Sequence, residues 1–347
     1  MRKLLLLLAA LLLMIFPALA EETADPAMLD LTHLKQVSEG DVPRLAQQIQ
    51  DSGASACDLR GVYIVLNNQI KLVEACPRVD FYWTVKIDTT VIDNHLTHLN
   101  LDEIRGKVGH ITLQKVLRCL SGVEEVTMYN YRFSVKEMEN IMAAFPQIHF
   151  NWTIRINTYL IRNDSSAFST AKGRQDPRYT AKQLADLKHC PDLVAVDVGH
   201  NNVSDLSFLT QWPHLKRLIC IDSRTPVTDL SPLAELHELE YLELFMQQIT
   251  DLSPLAGKEH LLDLNLCYNN ITDLTPLHSC VNLERLWISN NKNLPQEQID
   301  ALQAALPNLV IETQTKQSTG AGWREHPRYF IMKESFDTRT YIPFTQE

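Results

Sequence analysis

Cysteine and histidine are the residues of this chain whose spacing can be tested most directly for chemistry. The 347-residue sequence has seven cysteines and 12 histidines. His189 directly precedes Cys190, and His278 lies two residues before Cys280, but neither pair has a second ligand pair at the spacing of a zinc site. The 11 glycines form no phosphate-binding loop. We therefore expect no metal site and no cofactor.

A thiol nucleophile is also not expected. Such a group needs a histidine within hydrogen-bond reach. Cys267 and His200 both fall at outward positions of the repeat described below, but they lie three repeat units apart. At about 4.8 Å between neighbouring strands, that separation is about 14 Å. The sequence therefore predicts a protein that is not an enzyme.

Disulfide bonds are limited by the same spacing. Cys190 and Cys280 are four repeat units apart, and Cys220 and Cys267 are two apart. A disulfide requires Cα atoms within roughly 7 Å, so neither pair can form one. The odd number of cysteines leaves at least one unpaired. Most of these residues are expected to act as small buried hydrophobic groups; a bond between Cys57 and Cys76 remains open.

These positions belong to an internal repeat. The phrase ITDLSPL begins at Ile249 and ITDLTPL begins at Ile271, while VTDLSPL begins at Val227 and VSDLSFL at Val203. The spacing is 22 residues for the last three copies and 24 for the first step. A fixed period in this range is typical of a solenoid, in which each unit packs on its neighbours.

A strand-like pattern precedes each copy of the phrase. The segments follow LxxLxLxxN and begin at Leu193, Leu215, Leu239, Leu261 and Leu283. Their alternation predicts a short β-strand with leucines on the inward side. The final Asn, replaced by Ser223 and Gln247 in two units, suits a turn in which its side chain satisfies free backbone groups.

The combined pattern LxxLxLxxNxITDLSPLAxL resembles the 22-residue leucine-rich repeat of internalin-like bacterial proteins, over about 100 residues from Leu193 to Leu294. The later segment GWREHPRYF is similar to the ending of secreted repeat proteins of Gram-positive bacteria. The resemblance implies an α/β solenoid, a right-handed arc with a concave parallel β-sheet and short helices or 3-10 turns on the convex side. It also implies that a ligand, usually a protein, binds the concave sheet without catalysis.

The N-terminus has the layout of a secretory signal peptide over residues 1–20. Arg2 and Lys3 precede an apolar run that is too short for the roughly 20 residues of a membrane span. The ending Ala18-Leu19-Ala20 predicts cleavage after Ala20. We expect a secreted or cell-envelope protein that is not inserted in a membrane after cleavage. The formal net charge of −10 argues against a nucleic-acid partner.

Two near-copies, ACPRVDFYWTVKI and AFPQIHFNWTIRI, lie 69 residues apart, and ALPNLVIETQTK is a degenerate third. They predict longer, irregular repeats with a helix on the convex side; a separate α/β domain is the alternative. The polar stretch 157–185 is expected to loop out. The predicted organisation is residues 21–55 as an N-terminal helical cap containing VPRLAQQI, 56–185 as irregular longer repeats, 186–312 as regular repeats, and 313–347 as an aromatic tail or cap.

If the leucine that opens LxxLxLxxN is position one, the side chains at positions three, five, seven and eight point outward. These positions predict the functional surface. Apolar and aromatic side chains cluster there with a charged rim, which is typical of a protein interface. The predicted ligand-binding residues on this concave face are Arg217, Ile219, Ile221, Tyr241, Glu243, Phe245, Met246, Asp263, Asn265, Tyr268, Arg285 and Trp287. A glycan is the alternative ligand. In a third interpretation the aromatic tail covers the face, and the protein is a cell-envelope scaffold.

Overall fold

The computed structural model describes residues 28–171 and 178–344. They form two compact units. The first comprises the described residues up to Val126 together with Phe145–His149, and the second comprises Thr127–Ala144 and the described residues from Phe150 onward. The predicted signal peptide, residues 1–20, lies outside the described residues.

The first unit contains a parallel sheet of three short strands. Its strand order is β1 (Met28–Asp30), β3 (Ala56–Asp58), β5 (Asp80–Tyr82). The other elements are β2 (Gln36–Val37), which pairs in parallel with β4 (Tyr63–Ile64), the hairpin β6 (Thr84–Ile87) and β7 (Thr90–Asp93), strand β8 (His98–Asn100), and helices α1 (Val42–Ser52), α2 (Leu66–Ala75) and α3 (His110–Arg118).

Helix α1 confirms the helix predicted from VPRLAQQI. Pro43 stands in its first turn, where the missing N–H costs nothing, and Gly53 ends it with φ of 65°. The apolar residues of α1, including Leu45 and Ile49, are buried. Strand β1 precedes this helix and pairs with β3. Strand pairing therefore begins inside the predicted cap, one strand earlier than expected.

The second unit is organised around a seven-stranded parallel sheet. In order these strands are β12 (Ala167–Ser169), β13 (Ala195–Asp197), β14 (Arg217–Ile219), β15 (Tyr241–Glu243), β16 (Asp263–Asn265), β17 (Arg285–Trp287) and β18 (Val310–Glu312). Strand β9 (Glu125–Met128) passes from the first unit into the second after Val126, and β10 (His149–Ile156) does so after His149. The remaining elements of the second unit are helix α4 (Val135–Ala144), strand β11 (Tyr159–Arg162), which pairs with β10 as a hairpin, and helices α5 (Ala181–Leu184), α6 (Gln296–Ala305) and α7 (Pro327–Thr338).

The predicted repeat strands are confirmed as β13 to β17, in register along the sheet. Leu218, Leu242, Leu264 and Leu286 are paired with one another in sequence and are fully buried. They stack on the inward side, as the alternation predicts.

The Asn position also behaves as predicted. Asn269 accepts a hydrogen bond from the Ile249 N–H at 3.0 Å and donates to the Leu244 and Leu266 carbonyls, and Asn291 bonds the next unit in the same way. These side chains satisfy the backbone groups where the strands end.

The phrase TDLSPL forms the turn to the convex side. In each copy the Asp accepts a hydrogen bond from a backbone N–H two residues later, as Asp229 does from Ser231 and Asp251 from Ser253, both at 2.8 Å. A 3-10 helix with Pro in its first turn follows, over Ser231–Leu233 and Ser253–Leu255. The local hydrogen bond and the fixed φ of Pro favour this turn over a longer strand.

Position eight of every regular repeat has a positive φ. The residues are His200, Asp222, Met246, Tyr268 and Asn290, with φ from 47° to 64°. This left-handed conformation turns the chain away from the sheet just after the strand. Position eight therefore lies at the rim of the concave face rather than on its floor.

The near-copies WTVKI and WTIRI form equivalent hairpins, β6–β7 and β10–β11. In each hairpin an Asn side chain accepts from the Trp backbone N–H and donates to the carbonyl two residues before that Trp: Asn94 with Trp83, and Asn163 with Trp152. The prediction that 157–185 loops out is wrong for 159–162 and 167–169, which are β11 and β12. The physical reason is burial: Ile161 in β11 and Phe168 in β12 are both fully buried, which an exposed loop would not allow.

All seven cysteines are free and buried. We predict that thermal unfolding is the same with and without dithiothreitol, within about 1 °C, because a native disulfide would contribute about 2–5 kcal/mol. Calorimetry of residues 21–347 in both buffers measures this. A large loss of stability in reductant would show that two of these thiols are bonded.

Candidate functional site

The concave face of the second unit is covered by residues 313–344, here called the C-terminal segment. Helix α7 and the turns on either side of it lie against the sheet. Trp323 is fully buried, and Met332 and Phe336 are 1% and 8% exposed. They join a single apolar cluster with floor residues of β12 to β17, including Ile219 and Phe245. The tail therefore covers the face, as in the third interpretation considered from the sequence.

Ten of the twelve predicted ligand-binding residues are buried beneath or beside this segment. They are Arg217, Ile219, Ile221, Tyr241, Glu243, Phe245, Asp263, Asn265, Arg285 and Trp287, all between 0% and 7% exposed. The open surface expected at these positions is absent, because side chains of the C-terminal segment occupy it. Met246 and Tyr268, at 45% and 36%, remain exposed, since position eight turns out to the rim.

Trp323 lies at the centre of the covered face. Its ring centroid is 5.1 Å from that of Trp287 and 5.5 Å from that of Tyr241. Its Nε1 donates to Glu243 Oε1 at 2.8 Å, and the Tyr241 hydroxyl donates to the same oxygen. Arg285 lies over the ring, 4.5 Å from the centroid, and donates to the Trp323 carbonyl. An aromatic ring that packs on other rings and has its N–H hydrogen-bonded in this way is held in one position and orientation.

Arg217 holds the end of the segment. It is 0% exposed, although a charged side chain is seldom buried without partners. Its guanidinium donates to the Ser335 hydroxyl at 3.2 Å and to the Ile342 carbonyl at 2.7 Å, and it stacks 3.7 Å from the centroid of Phe344. Desolvation lowers the pKa of Arg217, while the nearby Glu240 carboxylate opposes that shift.

A second charged cluster joins the sheet to the start of α7. Asp263 is fully buried, with Arg285 at 3.5 Å and Arg328 of the segment at 3.3 Å. Burial raises the pKa of Asp263 to about 6, and the two guanidinium groups limit the shift. Arg328 also pairs with Glu284. Because removing one member would leave a buried charge without compensation, this cluster fixes the position of α7.

Three further floor or rim residues bind main-chain carbonyls of the segment. Asn265 donates to the Ser318 carbonyl at 2.7 Å, Tyr268 to that of Lys316 at 3.0 Å, and Trp287 to that of Gly320 at 3.0 Å. With the contacts of Arg217 and Arg285, five of the predicted residues recognise the backbone of the segment. At these distances the hydrogen bonds fix the position of the segment's main chain on the sheet.

The segment also protects the first strand of the sheet. The Ser166 and Ala167 N–H groups both donate to the Arg339 carbonyl, at 3.1 and 3.3 Å, and the Tyr341 N–H donates to the Ser166 hydroxyl at 2.7 Å. Unpaired edge groups are a template for aggregation, and these bonds occupy part of that edge at β12.

Sequence reasoning missed the partner residues on the segment. Ser335 is fully buried and bonds both Arg217 and the Ile342 N–H. The aromatic composition of residues 323–344 was the available signal, but it did not identify which residues face the sheet. Asp197 was also left out of the predicted site. It is 8% exposed and accepts from Ser169 and Gly199.

The described residues contain no group of three or more His, Cys, Asp or Glu side chains that could hold a metal ion. Burial raises the pKa of five thiols, those of Cys57, Cys119, Cys190, Cys220 and Cys267, to about 12. A thiol with so high a pKa is not ionised at neutral pH and is a poor nucleophile. None of the helices in the described part of the chain is both long and apolar enough to cross a membrane.

The parallel sheet, the Asn turns and the 3-10 helices of the second unit have the architecture of a leucine-rich repeat solenoid. A family profile described as "Leucine Rich repeats (2 copies)" matches residues 259–309, which contain β16, β17 and α6. The predicted repeat type and solenoid fold are therefore confirmed. Comparison of the sequence with curated proteins returns no match.

Solved structures similar to this chain include two internalins of Listeria monocytogenes. Internalin C2 is 24% identical, with 45% of this chain and 76% of that chain covered and a TM-score of 0.33. Internalin F is 16% identical, with 79% and 71% covered and a TM-score of 0.35. The Arabidopsis receptor kinase HAESA, solved with the peptide hormone IDA and the co-receptor SERK1, is 18% identical, with 65% and 30% covered and a TM-score of 0.32.

Proposed function

We propose that this chain is an exported, non-catalytic protein that binds other proteins as a scaffold, with its concave face occupied by its own C-terminal segment. The observation that carries the proposal is the complete burial of Trp323 between Tyr241 and Trp287. A side chain held in this way contributes to the fold, and releasing it would expose aromatic surface to water. Export rests on the signal-peptide pattern of residues 1–20.

In this proposal the partner protein contacts the rim of the concave face, because the C-terminal segment covers the floor. Met246 and Tyr268 occupy position eight of neighbouring repeats and are the two predicted ligand-binding residues that stay exposed. Methionine and tyrosine are common at protein interfaces, because each combines a large apolar area with adaptable contacts. Their positive φ holds both residues at the same turn of the repeat.

A second candidate is binding on the concave floor after the segment has been released. It is favoured by the five side chains that bind main-chain carbonyls of the segment, because the main chain of any peptide offers carbonyl acceptors. All twelve predicted residues would then contact the partner, which would have to replace the segment. Such a partner must bind the open form more tightly by at least the free energy of release.

Amide hydrogen exchange of residues 21–347 separates the two candidates. For the scaffold we expect peptides covering 323–342 to exchange within about tenfold of peptides covering β15 and β16, because both then open only with the whole unit. Exchange of 323–342 faster by a factor of a thousand or more would favour the second candidate. The same measurement on a cross-linked complex gives an independent answer, since a scaffold keeps the segment protected.

Capture of the partner tests the rim. We expect Met246→Asp to abolish cross-linking to the wild-type partner while the melting temperature stays unchanged. The matched control is Val281→Asp, since Val281 is 63% exposed and lies outside the strands of the face. Equal capture by both variants would contradict binding at the rim.

A further inference from the structure

A cavity of about 460 Å³ remains between the sheet and helix α7. Its floor comes from β12 to β15, and its roof comes from Arg324 and one face of α7. The roof residues Tyr329, Met332, Lys333 and Phe336 have helical spacing and therefore share that face. The volume lies within the roughly 300–1,000 Å³ of small-molecule sites.

The sheet contributes two acidic side chains to the cavity. Asp197 and Glu243 both line it, and they are 8% and 1% exposed. Each Asp197 oxygen already accepts one hydrogen bond, from Ser169 or from Gly199, and retains a free lone pair. Glu243 Oε1 is satisfied by Trp323 and Tyr241, but its Oε2 has no hydrogen-bond partner among the described residues. A buried carboxylate oxygen without a donor is costly, and a ligand cation would satisfy it.

The C-terminal segment contributes two basic residues, Arg324 and Lys333, and one acid, Asp337, to the lining. The Arg324 guanidinium lies 5.5 Å from the ring centroid of Tyr329. The positive charge of Arg324 opposes the rise that burial causes in the pKa of Asp197 and of Glu243, so Arg324 lies near both acids, although the described contacts include no salt bridge between them. The lining also includes four apolar side chains, Ile219, Ile221, Met332 and Phe336.

We propose that this cavity binds a free α-amino acid with an apolar side chain. Both charges of such a ligand are on one carbon: its ammonium group meets Asp197 and Glu243, its carboxylate meets the nearby Arg324, with Lys333 as a second cation, and its side chain packs on the four apolar residues. A zwitterion matches this arrangement because it supplies one charge of each sign beside an apolar group. Two buried acids alone would equally suit a metal or an amine; Arg324 and Lys333 in the same lining favour a ligand that also carries a carboxylate. The site is independent of the protein-binding function proposed above.

Calorimetric titration of residues 21–347 tests the site with L-leucine and L-phenylalanine as probes. We expect saturable binding of at least one of them. N-acetyl-leucine lacks the ammonium charge and leucinamide lacks the carboxylate, so each is expected to bind at least tenfold more weakly. L-aspartate, with an acidic side chain, is expected not to bind.

Arg324→Gln supplies the decisive variant, because Arg324 is exposed and its loss leaves the covered face intact. It should weaken leucine binding about tenfold and leave leucinamide binding unchanged, since only leucine presents a carboxylate to it. Arg224→Gln, also exposed and outside the cavity, is the matched control and should change neither. The proposal is overturned if neither probe binds at 10 mM (roughly the weak end of small-ligand affinities), if all three leucine compounds bind alike, or if Arg324→Gln weakens leucine and leucinamide equally.

Discussion

Deletion of residues 314–347 is expected to turn the protein into one that aggregates. The deletion removes Trp323 and α7 and leaves the floor of the concave face in water. Five large apolar or aromatic floor residues then become exposed, namely Ile219, Ile221, Tyr241, Phe245 and Trp287, which are now at most 7% exposed. At about 1.5–3 kcal/mol for each side chain, the loss is on the order of 10 kcal/mol. That is comparable to the total stability of an ordinary domain, about 5–15 kcal/mol.

The deletion is measured by light scattering after size-exclusion chromatography and by binding of the dye ANS. We expect large particles and strong dye fluorescence, because an exposed apolar patch of this size promotes aggregation. A chain shortened only by residues 345–347 keeps every contact described for the segment and serves as the control. If the longer deletion stayed monomeric and bound no dye, the segment would not be a structural cover, and the open concave surface would become the better proposal.

Most of the sheet of the second unit could be predicted from sequence, since each repeat contains the residues that form its own strand and turns. The alternation around Leu264 gives a strand, Asn269 ends it, and Asp273 begins the next turn. All of these interactions are local or connect neighbouring repeats. A 22-residue period therefore specifies them before any long-range contact is known.

The sequence could suggest that the C-terminal segment covers the concave face, but it could not establish this, because the covering depends on contacts between distant parts of the chain. Arg217 meets Ser335 and Ile342, and Glu243 meets Trp323, across many repeats. An outward-facing tyrosine or tryptophan has the same sequence pattern whether it binds a partner or the chain's own tail.

Helix α7 was not predicted for a related reason. Its apolar residues do not form a single stripe: Phe336 faces the sheet, while Phe330 is 58% exposed. Lys333 shares the inward face with Met332 because both line the cavity. A helix with mixed faces gives no clear helical period.

Single substitutions to alanine are expected to destabilise floor and cover residues as strongly as the inward leucines. Leu286→Ala should lower the free energy of unfolding by about 2–5 kcal/mol. Its neighbour Trp287 points to the opposite side of β17, yet Trp287→Ala should cost about 3–5 kcal/mol, because Trp323 packs on it. Trp323→Ala should cost a similar amount, since it also leaves Glu243 without a donor. Urea denaturation followed by circular dichroism measures each value.

Two exposed aromatics provide matched controls for this comparison. Phe330→Ala, in the same helix as Met332, is expected to change the free energy of unfolding by no more than about 0.5 kcal/mol. Tyr268→Ala should cost about 1 kcal/mol, the value of its hydrogen bond to the Lys316 carbonyl. A different order of these stability losses would contradict a covered concave face. If Leu286→Ala were costly while Trp287→Ala and Trp323→Ala were both nearly neutral, Trp287 would be in water for most of the time. The side chains that hold the segment in this structure would then be free to hold a partner.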